Sequence, residues 1–88
     1  MKSVCVLIST YNGEKYLQEQ LDSLYVQEGV RLTILARDDG STDGTVGILK
    51  ENAEGHDCLT WYQGMRLGPA KSFLQLLEKS PMADYYAF

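Results

Sequence analysis

The sequence has few of the features that would assign it directly to a class of protein. No apolar run approaches the ~18 residues of a membrane span. The apolar stretch at residues 4–8 is too short for a signal peptide, and no small-residue cleavage site follows it. The eight Lys and Arg residues are scattered through a chain of net charge −4, which argues against nucleic-acid binding. We therefore expect a cytoplasmic location, including the inner face of the membrane, with no transmembrane segment.

Cysteine is equally scarce. Cys5 and Cys58 are the two cysteines of the chain, and they form no CxxC pair. Each lies in or beside a predicted buried strand. We interpret them as reduced thiols of the core rather than as a disulfide or a metal-binding pair.

The apolar pattern predicts one α/β domain. The predicted strands are residues 4–8, 31–36, 59–62 and the stretch "DYYAF" at 84–88, and the predicted helices are residues 14–27, about 42–52 and 69–79. Asn12 is a candidate N-cap of the first helix, and Ser41 or Thr42 of the second. The order βαβαβαβ predicts a Rossmann-like three-layer sandwich with a mostly parallel, four-stranded sheet.

The chain ends inside the predicted fourth strand. A parallel sheet that stops there leaves an edge and part of a face uncovered. We therefore expect residues 1–88 to be the front part of a larger protein, with self-association through the exposed edge as a further expectation.

The acidic stretch "LARDDGSTDG" at residues 35–44 directly follows the second predicted strand. Read as a calcium loop from Asp39, it matches an EF-hand at positions 1, 3, 5 and 6. The match fails at position 12, where Lys50 replaces the bidentate glutamate, and the preceding segment is strand-like rather than helical. A calcium site is therefore disfavoured.

Two other interpretations of this stretch remain. Helix capping needs only one residue, whereas the stretch offers five, and two adjacent carboxylates at a strand end repel each other. An aspartate at the end of a second parallel strand is also well placed to bind a nucleotide. The first turn, "STYNGEKY", lacks the GxGxxG pattern, so a dinucleotide is poorly supported.

Four stretches of the sequence together carry a resemblance to a known family. "VLISTYNGEKYLQEQLDSL", "ILARDDGSTDGT", "GPAKSFLQLL" and "DYYAF" resemble the N-terminal half of a family 2 glycosyltransferase of the GT-A fold. The resemblance covers essentially the whole chain. The last two stretches are most similar to bacterial rhamnosyltransferases of polysaccharide assembly.

This resemblance implies a role for several residues. Ser9, Thr10 and Tyr11 match positions that line the nucleotide pocket, with the Tyr11 ring against the base. Asp39 matches the position that accepts the imide N–H of uracil or thymine, which would select uridine or thymidine carriers.

Two further residues are assigned to the nucleotide site with narrower roles. Asp38 is expected to orient the loop. Lys71 is expected to approach the diphosphate together with helix N-terminal amides, although a solvated surface lysine explains it equally well.

The family's metal-binding acidic motif and its catalytic base would lie after Phe88. We therefore expect no metal site and no catalytic residue within this chain, and Mg²⁺ or Mn²⁺ only in the full-length enzyme. The aspartates at 38, 39 and 43 are not substitutes for that motif, because they follow a different strand.

The function implied by the resemblance is that of an inverting glycosyltransferase. Its partners would be a UDP- or dTDP-sugar donor, with rhamnose as one candidate sugar, and a cell-surface polysaccharide acceptor. Residues 1–88 would supply the N-terminal nucleotide-sugar-binding portion of the GT-A domain. The alternative is a naturally short, non-catalytic nucleotide-binding module. A receiver-like signalling domain is disfavoured, since no acid ends the third strand in "LTWYQG".

Overall fold

The computed structural model describes residues 2–26, 29–79 and 85–87, and it confirms the predicted alternation of strands and helices. The elements are β1 (Lys2–Thr10), α1 (Leu17–Tyr25), β2 (Val30–Asp38), α2 (Thr45–Gly55), β3 (Leu59–Gln63), α3 (Pro69–Lys79) and β4 (Tyr85–Ala87). Residues 84 and 88 of the predicted fourth strand lie outside the described residues.

The described strands form one parallel sheet in the order β3-β2-β1-β4. β1 and β2 pair over their whole length, from Lys2 beside Val30 to Thr10 beside Asp38. β2 and β3 are added on one side of β1, and β4 is added on the other side. Such a reversal of strand order places a crevice at the carboxyl ends of the strands, where ligands of open α/β sheets bind.

Helices cover both faces of the sheet, which confirms the three-layer α/β architecture. Because alternate strand residues point to opposite faces, each strand contributes to two cores. The first core packs α1 and α2 against the sheet and contains Val6, Ile8, Leu17, Leu21, Ile34, Ala36, Leu49 and Leu59. The second packs α3 against the other face and contains Cys5, Leu7, Leu35 and Leu76.

The cysteines are both free thiols, as predicted. Cys5 is completely buried in the second core, and this burial raises the pKa of its thiol. Its thiol therefore stays protonated and behaves as a small apolar side chain.

The third helix begins at Pro69 as predicted, but the predicted starts of the first two helices are wrong by about one turn. α1 begins at Leu17 rather than Glu14, and α2 begins at Thr45 rather than Thr42. Neither helix has a capping hydrogen bond from the side chain of its N-cap residue. The side chains of Asn12 and Ser41 are used elsewhere, in contacts between the two loops that precede these helices.

No helix in the described ranges combines the length and the apolar character that crossing a bilayer requires. The sheet edges are β3 and β4. Self-association through an edge stays a prediction.

Candidate functional site

Polar side chains gather where β1 and β2 end. The two strands stop at the same level, with Thr10 beside Asp38, so the loops that follow them leave the sheet together. The Asp39 amide donates a hydrogen bond to the Thr10 carbonyl at 2.8 Å. The acidic stretch at residues 35–44 therefore lies directly beside the predicted nucleotide-binding residues at 9–11.

Six hydrogen bonds join the β1–α1 loop to the β2–α2 loop and the first residue of α2, and we call this set the loop clasp. Its bonds are Asn12 N to Ser41 Oγ (2.8 Å), Thr42 N to Asn12 Oδ1 (2.8 Å), Thr42 Oγ1 to Asn12 Oδ1 (3.5 Å), Gly13 N to Thr45 Oγ1 (2.9 Å), Gly44 N to Glu14 Oε2 (2.9 Å) and Glu14 N to Asp43 Oδ2 (3.3 Å). Asn12, which makes three of them, has a left-handed backbone conformation with φ of 50°. The clasp fixes the loop that carries Tyr11.

Asp43 has a structural part in this arrangement. Its Oδ1 accepts the Thr45 amide at 2.9 Å, at the first residue of α2. Hydrogen bonds from the Thr45 hydroxyl and amide lower the pKa of Asp43 against a smaller effect of desolvation. An anionic acceptor at the helix N-terminus also suits the helix dipole.

Asp38 is completely buried, and its donors come from β1, β3 and the loop that follows it. Its carboxylate accepts hydrogen bonds from Thr10 Oγ1 (2.8 Å), Ser41 Oγ (2.6 Å), Ser41 N (2.8 Å) and Gln63 Nε2 (3.1 Å). Burial alone raises the pKa of Asp38, but the bonds from Ser41, Thr10 and Gln63 outweigh burial and lower it. This geometry suits a residue that shapes the loop rather than one that meets a ligand.

Asp39 is buried as well, with 1% of its surface exposed, and it is held by four donors. Oδ1 accepts Arg37 Nη1 at 2.7 Å and the Leu67 amide at 2.8 Å. Oδ2 accepts Arg66 Nη1 at 2.6 Å and the Gly68 amide at 3.0 Å. Desolvation raises the pKa of Asp39, but these four hydrogen bonds together hold it well below its usual range. The carboxylate is therefore an anion at any physiological pH.

Arg37 is a residue of the site that the sequence analysis missed. It is 1% exposed, and besides Asp39 it donates to Gln75 Oε1 (2.6 Å), Ser72 Oγ (2.9 Å) and the Met65 carbonyl (2.9 Å). A signal was present, because an arginine that directly follows the predicted buried strand at residues 31–36 needs a partner of opposite charge if the strand continues through it.

Arg66 is a second residue that was missed. Its side chain is half exposed, and its guanidinium lies over the ring of Tyr11, with Cζ 3.8 Å from the ring centroid. The same guanidinium reaches the Asp39 carboxylate. One side chain thus connects the aromatic ring and the buried acid that the resemblance assigned to the base.

A cleft of about 640 Å³ opens beside these residues, at the carboxyl end of β1. It lies between α1 and α3 and is lined by Leu7, Ile8, Ser9, Thr10, Tyr11, Gly13, Tyr16, Leu17, Gln20, Pro69, Ala70 and Phe73. Of the predicted nucleotide-binding residues, Ser9, Thr10 and Tyr11 line the cleft. Asp38 and Asp39 are buried and are not lining residues, and Lys71 is exposed on the first turn of α3.

The aspartates of the acidic stretch do not fit a divalent metal ion. Within residues 2–26, 29–79 and 85–87, no group of three or more His, Cys, Asp or Glu side chains is arranged to hold one. The carboxylates of Asp38 and Asp39 already accept four hydrogen bonds each from protein donors.

Curated relatives are similar to parts of the chain. A segment of 44 residues is 46% identical to the dTDP-rhamnosyl transferase RfbG of Shigella flexneri and covers 50% of this chain and 15% of that protein. A segment of 51 residues is 39% identical to Glycosyltransferase GlyA of Streptococcus pneumoniae serotype 4 (strain ATCC BAA-334 / TIGR4) and covers 58% and 7%. Both matches span only a small part of the relatives' length.

Solved structures of GT-A fold glycosyltransferases share this fold. The mannosyltransferase PcManGT from Pyrobaculum calidifontis, solved in complex with GDP-Man and Mn²⁺, aligns with a TM-score of 0.80 and 32% identity over 89% of this chain and 24% of its own. S. aureus TarS 1-349 in complex with UDP-GlcNAc aligns with a TM-score of 0.79 and 32% identity over 92% and 24%. The chain spans about a quarter of these structures. The family model described as Glycosyl transferase family 2 matches residues 5–82, most of the sequence, and the chain belongs to this family.

Proposed function

We propose that residues 1–88 are the N-terminal nucleotide-sugar-binding portion of an inverting glycosyltransferase that uses a UDP- or dTDP-sugar. One observation carries the proposal beyond the family. The exposed ring of Tyr11 and the buried carboxylate of Asp39 lie close enough for a single planar guanidinium to contact both. A nucleobase is also planar, stacks on an aromatic ring, and offers N–H donors along its edge.

The hydrogen bonds of Asp39 support a pyrimidine base with an imide. Three of its donors are the buried Arg37 side chain and the backbone amides of Leu67 and Gly68, and the half-exposed Arg66 side chain provides the fourth. A ligand that replaces Arg66 therefore meets one free acceptor position. Uracil and thymine offer a single N–H between two carbonyls, whereas guanine offers two adjacent donors. A mismatch would leave a buried polar group without a partner, which is costly.

The remaining predicted residues are proposed to bind the sugar-diphosphate part of the donor. Ser9 and Thr10 belong to the cleft wall, and Pro69 and Ala70 bring the N-terminus of α3 to the same cleft. A helix N-terminus attracts phosphate, and Lys71 on the first turn adds a positive charge. Asp38 is proposed to act on the nucleotide only through the loop that it orients.

The proposed reaction of the full-length enzyme is an in-line displacement at the anomeric carbon. An acceptor hydroxyl, deprotonated by a carboxylate, attacks that carbon and inverts it while the nucleoside diphosphate leaves. The similarity to a dTDP-rhamnosyl transferase favours rhamnose as the sugar. A cell-surface polysaccharide is the acceptor that we propose. The portion proposed here binds no metal itself, and Mg²⁺ or Mn²⁺ remains an expectation for the full-length enzyme.

Calorimetric titration of the full-length protein with UDP, dTDP, GDP and ADP, each with Mn²⁺, tests the proposal. UDP and dTDP should bind most tightly. Tyr11→Leu should weaken UDP binding by about tenfold, because base stacking on an aromatic ring contributes roughly 1–3 kcal/mol. Tyr11→Phe keeps the ring and should bind like the wild type. Preference for ADP, or equal binding by Tyr11→Leu, would contradict the proposal.

A second assay distinguishes an enzyme from the alternative, a non-catalytic nucleotide-binding module. It measures the release of UDP or dTDP from a nucleotide sugar when saccharide acceptors are added. A protein that binds UDP but never turns over a nucleotide sugar with any acceptor in a broad panel would support the module.

A further inference from the structure

Arg66 makes the two contacts that the proposed base would make. Its guanidinium stacks on the Tyr11 ring, with Cζ 3.8 Å from the centroid, and its Nη1 donates to Asp39 Oδ2 at 2.6 Å. A planar group stacked on Tyr11 and donating one N–H to Asp39 describes the arginine and also describes a bound uracil. The arginine and the base therefore need the same space and the same acceptor.

The two occupants exclude each other. Asp39 Oδ2 already accepts the Gly68 amide, so it has no position for both Arg66 and an imide. We propose that Arg66 is a built-in competitor, which occupies the base subsite when no nucleotide is present and must be displaced for the base to bind. This inference rests on the proposed function, because it concerns the same subsite.

Arg66 is suited to leave, whereas Arg37 is not. Arg37 is 1% exposed and donates to four acceptors, so its removal would leave a buried charge. Half of the Arg66 side chain is exposed, so water can solvate its charge after displacement. Displacement breaks one hydrogen bond and one ring contact of Arg66, against four hydrogen bonds for Arg37.

The competitor also protects the empty site. Without Arg66 or a base, the buried Asp39 carboxylate would have an acceptor position without a donor. The guanidinium fills that position and covers the Tyr11 ring. The free energy needed to displace Arg66 is the same for every base that stacks on Tyr11. Arg66 therefore sets the affinity for the nucleoside rather than the choice among bases.

Titration of the full-length protein with uridine tests the inference, because uridine carries no phosphate that Arg66 could attract. Arg66→Ala should bind uridine about three- to tenfold more tightly than the wild type, since both an ion pair and a cation–π contact no longer have to be broken. Arg31→Ala is the matched control. Arg31 is an exposed arginine near the other end of β2, so this variant removes the same charge away from the site and should bind like the wild type.

The salt dependence gives a second readout that a purely structural role would not change. Salt weakens the half-exposed ion pair between Arg66 and Asp39, so wild-type affinity for neutral uridine should rise with ionic strength. The affinity of Arg66→Ala should show no such rise.

The inference is overturned if Arg66→Ala binds uridine no better than the wild type, including the case in which it shows no binding. UDP titrations separate this result from failure of the proposed function. If the wild type binds UDP but Arg66→Ala binds uridine with the same affinity as the wild type, only the inference that Arg66 competes with the base is wrong. If neither protein binds UDP, the nucleotide site itself is wrong.

Discussion

Arg37 Nη1 and Asp39 Oδ1 lie 2.7 Å apart, and neither side chain is more than 2% exposed to solvent. Each member of this pair also bonds to segments far away in the sequence, Arg37 to α3 and Asp39 to the amides just before it. The ion pair therefore joins the end of β2 to residues 65–68 and to α3. It builds the wall behind the proposed base subsite.

Breaking this pair should destabilise the protein strongly. Arg37→Met or Asp39→Asn should each lower the free energy of unfolding by about 3–5 kcal/mol. Asp39→Asn leaves the buried Arg37 without its anionic partner, and Arg37→Met leaves the buried Asp39 with only the half-exposed Arg66 as a cationic partner. Urea denaturation measures the change, and Arg31→Met on the exposed part of the same strand should alter it by less than about 0.5 kcal/mol. Losses below about 1 kcal/mol in both variants would show that the pair has little effect on stability. Asp39→Asn is therefore a poor probe of nucleotide binding, and Tyr11 is the better one.

Stability should fall in acid because of Asp38 and Asp39. The pKa of each carboxyl is lowered in the folded protein from an ordinary value of 3.8. A lowered pKa contributes stability that is fully present above the ordinary value and is lost as the pH falls through the folded one. The free energy of unfolding should thus be nearly flat from about pH 7 to 5 and should decline below about pH 4.

Urea denaturation at a series of pH values, for the wild type and two variants, measures this. Asp38→Asn should flatten the acid decline, whereas Asp57→Asn, which removes an exposed carboxylate after α2, should leave its shape unchanged. An acid decline of equal steepness in Asp38→Asn would rule out Asp38 as a source.

Gly64 makes room for Arg37. A Cβ at residue 64 would collide with the Arg37 guanidinium, which has four hydrogen bonds to keep. Gly64→Ala should therefore lower the free energy of unfolding by about 1–3 kcal/mol. Gly47→Ala is the matched control, because Gly47 lies inside α2 and a Cβ there meets no atom within 4 Å. It should stabilise the protein by about 0.5–1 kcal/mol, since alanine favours a helix. Equal effects of the two variants would contradict this account of Gly64.

The sequence predicted the order of elements and the meeting of the two loops, for reasons that are local. Apolar periodicity marks each strand and helix, and parallel strands bring their carboxyl ends to one edge. Pro69 marked the start of α3 correctly, but the starts of α1 and α2 could not be predicted this way. Asn12 has the side chain of an N-cap, but it bonds to Ser41 and Thr42 across the clasp, and this contact exists only in the folded protein.

The site residues also differ in whether the local sequence could predict them. An arginine in a buried strand signals that a partner exists, yet the partners of Arg37 on α3 lie 35 and 38 residues further along the chain. Arg66 carries no signal at all, because a half-exposed arginine in a turn has the same pattern as any surface arginine. Only the arrangement of Tyr11 and Asp39 around its guanidinium gives it a function.

Asn12 should support both stability and nucleotide binding through the loop clasp. Asn12→Gly keeps the left-handed backbone accessible and removes the side-chain oxygen that accepts the Thr42 amide and, at 3.5 Å, the Thr42 hydroxyl, so it should cost about 1 kcal/mol. Asn12→Ala also strains the backbone at φ of 50°, so it should cost about 1 kcal/mol more. Urea denaturation measures both values.

The same two variants report on the position of Tyr11, which precedes Asn12 directly. Loosening the clasp should weaken UDP binding several-fold in calorimetric titration, more for Asn12→Ala than for Asn12→Gly, because the ring is then less well placed to stack on the base. If the two variants lost stability in the expected order but bound UDP like the wild type, the clasp would hold the fold together without orienting Tyr11.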